Sequence, residues 1–273
     1  MTVIAMTREM GTLGKDVAQG IADALGLKVI HSELVEHDLA VKLGLQESAV
    51  HRFLEGGASL LERWKVNKNT LAQSTADEIL ELAQQGNVVI RGWGAVPVLR
   101  QIPHVIRVRV CAPMAFRERV MMDRLGHKEP SVVRGEIEKS DAAHSELTRR
   151  FFNGNWEDPQ HYHIVLNTGS IPPDTCVRSI RLLTDDPAFQ ETETAHAIFA
   201  DKLIERRLST LITRMFGAHA NININVTGGD VVLDGTADFN HHLADVVKAC
   251  RGVPGVKAVA NNITETGGLI GGL

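Results

Sequence analysis

Apolar and polar positions along this chain follow two rhythms, one short and continuous, the other helical. Residues 1–6 (MTVIAM) make an apolar run of the length expected for a buried central strand. Residues 14–26 then carry Val17, Ala18, Ile21, Ala22 and Leu25 at helical spacing and stop at Gly26. Val29–Ile30 reads as a short strand. Residues 32–54 read as a helix broken around Gly44, and another helical region follows Gly56–Gly57. The clearest amphipathic helix spans 70–85 (TLAQSTADEILELAQQ). Asn87–Arg91 and His104–Val110 read as strands, the second with Arg107 and Arg109 alternating against Val and Ile. Pro113 opens a helix to about Leu125, at the position where proline is favoured. Residues 130–152 are helical and highly charged, His163–Leu166 is a last strand, and 172–183 is a closing helix. Strands separated by helices predict a three-layer α/β domain around a parallel sheet.

Beyond residue 195 the pattern changes. Residues 196–216 form an amphipathic helix through Ile198, Leu203, Leu208, Leu211 and Ile212. Ile222, Ile224 and Val226 alternate with Asn, Gly228–Gly229 makes a turn, and Val231–Leu233 returns as a second strand. A helix over 238–251 and a strand over 256–263 complete an α-β-β-α-β order. This predicts a small α+β unit with two helices able to cover one sheet face. His241 and His242 are adjacent on a helix, so they point to different sides, which argues against metal binding by that pair.

Charge sharpens this division. Residues 1–183 hold 22 basic and 22 acidic side chains, and residues 196–273 hold seven of each. The net charge of −4 therefore resides in residues 184–195, TDDPAFQETETA, which reads as an acidic linker. The expected organisation is 1–183, linker 184–195, and 196–273. The acidic balance argues against broad nucleic-acid binding. Cys111, Cys176 and Cys250 are odd in number and widely spaced, as expected for structural thiols in a reducing cytoplasm. No signal-peptide pattern or membrane-length apolar stretch is apparent, and the tail GGLIGGL is too short to span.

Candidate chemistry concentrates at the first strand-to-helix turn, TREMGTLGKD. Gly11 and Gly14 allow a sharp turn whose amides face an anion, and the following helix adds the positive end of its dipole. The amides of Gly11, Thr12, Leu13, Gly14 and Lys15 are the candidate phosphate donors, with the Lys15 ammonium beside them. The pattern G-x-x-x-x-G-K-[ST] would place glycine at Glu9 and a hydroxyl at Asp16. A carboxylate at Asp16 is a candidate metal ligand that also repels phosphate. The alternative reading is a glycine-rich turn with no ligand.

Several blocks together resemble the cytidylate kinase-like family. They are TREMGTLGKDVAQGIADALGL, VVIRGWGAVPVL, VRVCAPMAFRERV, EIEKSD and NWEDPQHYHIVLNT, in the family's order across about residues 2–183. The resemblance implies a P-loop NTPase-type parallel sheet. The implied activity is phosphoryl transfer from ATP, with Mg²⁺, to a nucleoside monophosphate, cytidylate by default. It implies that the region of Arg117 and Arg124 leads into the lid, whose arginines neutralise the transferred group. Arg8, just before the turn, is placed to face either phosphate or a buried acid, and Asp141 is the best acid candidate near the lid, with no evident partner in the sequence. Arg117 and Arg124 are seven residues apart and share a helix face, while Arg119 does not. A solvated helix face is the plain alternative for each of them.

The chain departs from the family pattern at several points. Aligning GAVPVL places Trp93 where the family has a monophosphate-gripping arginine, with Arg91 two residues earlier. His144 stands near an expected arginine, and Asn155 and His163 replace aspartates around a retained Trp156, Asp158 and Tyr162. That trio reads best as fixing the loop before the last strand. Residues 198–266 resemble a BON module, carried by VTGGDVVLDGTA and VPGVKAVANNI; the resemblance implies Gly235 at the bend after the second strand and Gly252 and Gly255 around the turn into the last strand. That resemblance implies contact with phospholipid or protein, or homo-oligomerisation. The expected functions are an active nucleoside monophosphate kinase, a nucleotide-binding sensor with little turnover, or an inert scaffold.

Overall fold

The apolar run at the start becomes β1 (Val3–Arg8), the centre of a five-stranded sheet. β3 (Val88–Arg91) and β4 (Val105–Cys111) flank it, with β2 (Lys28–His31) beyond β3 and β5 (Ile164–Asn167) beyond β4. All four pairings are parallel, and Val3 stands opposite both Val88 and Val105. A strand buried on both faces has no need of alternation, and Val3, Ile4, Ala5 and Met6 are all buried. The computed structural model describes residues 1–31, 68–92, 94–126, 129–152, 154–216, 221–237 and 243–265. The helix expected over 32–54, the region after Gly56–Gly57, Trp93, the His241–His242 pair and the GGLIGGL tail lie outside the described residues.

Helices flank this sheet. α1 (Gly14–Leu25) and α6 (Pro173–Thr184) pack on it through Val17, Ile21, Cys176 and Ile180 against Ile4, Met6 and Val108. Fully burying an aliphatic side chain of this kind contributes about 1.5–3 kcal/mol. α2 (Lys68–Gln85) packs on β3, and α3 (Ala95–Leu99) on β1 and β4. α3 has no counterpart in the sequence reading. Its Pro97 reads as a helix breaker, yet lies in the first turn, where a missing N–H costs no hydrogen bond. α4 (Met114–Leu125) and α5 (Pro130–Phe152) pack together over Met121, Val133 and Ile137. Met10, from the turn after β1, joins that cluster.

The chain forms two compact units, Met1–Glu191 and Thr192–Leu273. Of the acidic stretch 184–195, the early part packs on the first unit. Asp186 caps a short 3₁₀ turn at Pro187–Phe189, the Phe189 ring lies 4.7 Å from that of His163, and the Met1 ammonium meets Glu191 at 2.7 Å.

The second unit contains α7 (Glu193–Phe216), β6 (Asn221–Thr227), β7 (Asp230–Ala237), α8 (Leu243–Arg251) and β8 (Ala258–Glu265). β6 and β7 form an antiparallel hairpin, and β8 joins β7 in parallel. Asp201 of α7 accepts hydrogen bonds from the turn amides of Gly228 and Gly229 at 2.7 and 2.9 Å. Ile204, Leu208 and Ile212 of α7 and Val246 and Cys250 of α8 pack with Val231, Leu233 and Ile263. The alternate positions Asn221, Asn223, Asn225 and Thr227 are exposed. The two helices therefore serve one sheet face, as the sequence pattern predicts.

Candidate functional site

β1 ends at Arg8, and the chain turns through residues 9–13 into α1. Two residues of the turn are left-handed: Gly11 at φ 78° and Leu13 at φ 55°. Such conformations let successive amides converge on an anion. The turn is tied down by its carbonyls. Thr12 Oγ1 donates to the Glu9 carbonyl at 2.8 Å, Thr168 Oγ1 donates to the Thr12 carbonyl at 2.6 Å, and the amides of Asp16 and Val17 donate to the Leu13 carbonyl at 3.0 and 3.1 Å. The amides are spent differently. Among the described residues, no protein acceptor takes the N–H of Gly11, Thr12, Leu13, Gly14 or Lys15. Five consecutive unspent amides at a helix N-terminus fit a phosphate group. Lys15 and Asp16 are exposed, and among the described residues neither forms an ion pair. Gly14 lies close to Arg8: a Cβ there would stand 2.8 Å from the Arg8 Cβ.

A buried ionic cluster lies beside the turn. The Glu9 carboxylate accepts from Arg109 Nη2 at 2.7 Å and from the Ala112 amide at 3.3 Å, and Arg117 Nη1 lies 3.5 Å away. Arg117 is only 4% exposed. Its Nε donates to the Met10 carbonyl at 2.7 Å, while Nη1 and Nη2 donate to Asp141 at 2.8 and 2.7 Å. Arg117 and Asp141 are therefore brought together, in contact with the turn, as a bidentate pair. Arg124, in the last turn of α4, is exposed. The helix face it shares with Arg117 is closed over at Arg117 and open at Arg124. Arg119 is exposed and lies 5.5 Å over the Phe116 ring.

Arg91 ends β3, is buried, and donates to His31 Nδ1 at 2.9 Å. It stands at the same edge of the sheet as the glycine turn, opposite Met6 of β1. Trp156, Asp158 and Tyr162 shape the loop before β5. The Trp156 carbonyl accepts from both Tyr162 Oη and Arg109 Nη1, its indole N–H donates to Ser145 Oγ at 2.7 Å, and Asp158 accepts from the Gln160 amide at 2.9 Å. The indole lies between Arg109, 4.5 Å from its centroid, and the stacked His144 ring at 5.3 Å. Burial pushes the Tyr162 hydroxyl and the Cys111 thiol above their usual ranges, so neither is poised to ionise.

Glu9, Arg109 and Thr168 belong to this site, and the sequence pattern does not single them out as site residues. A signal exists for one of them: Arg109 lies in a strand otherwise built for burial, and a buried guanidinium demands a partner.

A five-stranded parallel sheet with a glycine turn leading from its central strand to a helix defines a kinase-like α/β protein of the P-loop type. Residues 3–170 match the model of the cytidylate kinase-like family, and residues 200–267 match that of the BON domain. The chain belongs to the cytidylate kinase-like family and carries a BON domain after it. A crystal structure of an uncharacterized protein from Eubacterium ventriosum ATCC 27560 shares the fold, at 19% identity and a TM-score of 0.54, over 68% of this chain and 99% of that one. A sugar kinase from Janibacter sp. HTCC2649 aligns at 18% identity and a TM-score of 0.42, over 70% and 100%. A shikimate kinase from Bacteroides thetaiotaomicron aligns at 14% and 0.44, over 68% and 99%. No curated protein matches the chain. Among the described residues, no helix is long and apolar enough to cross a membrane.

Proposed function

We propose that the first unit binds a nucleoside triphosphate at the Gly11–Asp16 turn and transfers its terminal phosphoryl group to a nucleoside monophosphate, with cytidylate the first acceptor to test. The observation that carries this is the run of unspent amides at residues 11–15 beside an exposed ammonium. Phosphoryl transfer requires positioning and positive charge more than covalent chemistry, and this turn supplies both. Arg8 and Arg91 are the further cations proposed for phosphate, Arg91 on the acceptor side. Arg124 is the candidate lid cation.

Among the described residues, no group of three or more His, Cys, Asp and Glu side chains could hold a metal ion. Magnesium fits this turn as a companion of ATP phosphates, with Asp16 as the adjoining carboxylate, because Mg²⁺ is commonly held by one or two carboxylates, phosphates and water. Bound Mg²⁺ would supply charge neutralisation on the transferred group.

A second reading is nucleotide binding with little turnover. It is favoured by Arg117 and Asp141, whose charged groups are already engaged with each other. Calorimetry with ATP and Mg²⁺, followed by a diphosphate-formation assay over the common monophosphates, separates the two. A kinase binds and converts; a sensor binds without converting. In either case Lys15→Ala weakens ATP binding about tenfold or more, the order expected for losing a charge-assisted contact. Unchanged ATP affinity in that variant would refute phosphate binding at this turn.

For the second unit we propose a contact role, self-association or binding to a phospholipid or protein surface. The exposed Asn221, Asn223, Asn225 and Thr227 face supports it. A reducing cytoplasm is the proposed compartment, consistent with three free cysteines.

A further inference from the structure

Arg117 makes contacts that neither phosphate binding nor transfer requires. From its place in α4, one guanidinium reaches two further elements: the carbonyl of Met10 in the turn and Asp141 in α5. Glu9, one residue before Met10, faces the same guanidinium at 3.5 Å and is held in turn by Arg109 and by the Ala112 amide. The backbone of the same residue presses on the turn from the other direction, because a Cβ on Gly11 would stand 2.7 Å from the Arg117 carbonyl. Glu9, Met10 and Gly11 are thus fixed by one residue of α4, and that residue is fixed by Asp141.

We infer that Glu9, Arg117 and Asp141 act as one brace that sets the conformation of the phosphate-binding turn, with Arg117 as a positioning residue. The inference rests on the proposed nucleotide binding and assigns these three side chains a task short of touching the ligand. Two physical points support it. A bidentate arginine fixes orientation as well as distance, which a lysine at the same place cannot do. Left-handed residues such as Gly11 and Leu13 persist where the surroundings over-determine them, and here the carbonyl between Glu9 and Gly11 is held by a charged donor. Arg117 also keeps the Glu9 carboxylate paired, so its charge is answered within the protein and not by Lys15.

The test uses the full chain, with ADP as the probe. Arg117→Lys and Asp141→Asn are examined singly and together for ADP affinity by calorimetry, for melting temperature, and for amide hydrogen exchange at Asp16 and Val17, whose N–H groups donate to the Leu13 carbonyl of the turn. The expected result is an affinity loss of about tenfold in each single variant, with the double variant no worse than the weaker single one, as for groups that act as a unit. Exchange at Asp16 and Val17 rises in the same variants without ligand. Arg117→Ala loses at least as much affinity, and millimolar guanidinium restores part of it, which a general loss of stability would not allow. If Arg117→Lys fails to fold, Asp141→Asn and Glu9→Gln carry the measurement, since both keep the side-chain shape. Folded variants with wild-type ADP affinity and wild-type exchange overturn the brace. If wild-type protein does not bind ADP, the nucleotide reading fails by itself. The exchange measurement then decides the brace: faster exchange at Asp16 and Val17 supports it, and unchanged exchange overturns it.

Discussion

Replacing Gly11 with alanine should destabilise the first unit by about 3 kcal/mol, and the structure separates two contributions. Gly11 has φ 78°, where an L side chain costs about 1 kcal/mol. The added Cβ would also stand 2.7 Å from the Arg117 carbonyl oxygen and 3.1 Å from both Arg117 Cα and Met121 Cγ. Two of those three atoms are helix backbone, which cannot rotate away, so overpacking of about 1–3 kcal/mol applies in addition. Gly26 provides the control. It has φ 65°, but nothing lies within 4 Å of where its Cβ would stand, so Gly26→Ala meets only the conformational penalty. The assay is urea unfolding followed by tryptophan fluorescence. All three tryptophans, at 64, 93 and 156, fall within Met1–Glu191, so the signal reports that unit alone. With a slope of about 2 kcal/mol/M, Gly11→Ala should lower the midpoint by about 1.5 M and Gly26→Ala by about 0.5 M. Equal shifts in the two variants would show that α4 does not press on the turn, and the close approach of helix and turn would have to be abandoned.

His163 is held neutral: its Nδ1 accepts from the Arg107 amide at 3.1 Å, and burial, then the Arg107 charge, lowers its pKa to about 4. The unfolded chain takes up that proton near pH 6.5, so stability is full above pH 6.5 and is lost as pH falls towards 4; the half-buried ring limits this to about 1–2 kcal/mol, and His163→Gln should flatten the decline in denaturation curves taken across that range. Gly235 lies at φ 139°, and a Cβ there would stand 2.0 Å from the Asn221 carbonyl oxygen in the neighbouring strand. Gly235→Ala should therefore disrupt the β6–β7 pair, abolish any self-association or vesicle binding seen by sedimentation, and leave ATP binding at the turn unchanged.

The fold is largely legible in the sequence because its elements announce themselves locally. β1 is an uninterrupted apolar run, α1 has helical spacing and ends at Gly26, and the asparagine alternation in β6 marks a strand with one half-buried side. α3 is hidden because Pro97 suggests interruption, and its tolerance depends on a position within the helix that only the three-dimensional start reveals. The site is half legible. Gly11, Gly14 and Lys15 are close in sequence, so their chemistry can be read directly along the chain. Glu9 and Arg109 are 100 residues apart, and Arg117 and Asp141 are 24 apart. Pairings of that kind are products of sheet order and helix packing. The seven-residue spacing of Arg117 and Arg124 correctly puts them on one helix face, yet says nothing about where α5 covers it.

Burial decides what each arginine can do. Arg109 and Arg117 are 6% and 4% exposed, and withdrawing a guanidinium from water that far is tolerable only with geometry-matched acceptors. Glu9 and Asp141 supply those acceptors, so the cluster of two cations and two anions closes with zero formal charge. A neutral cluster exerts little pull on a phosphate beyond its own contacts. In the proposed phosphate binding, attraction at the turn then comes from groups outside the cluster, chiefly the unspent amides of residues 11–15 and the exposed Lys15, with Arg8 and Arg91 as the further proposed cations. Architecture and the proposed ligand binding are thereby divided between two sets of groups that meet at the same turn. The division explains why Glu9 can occupy a place where carboxylates are otherwise costly: its charge is answered from behind, by arginines that belong to the fold.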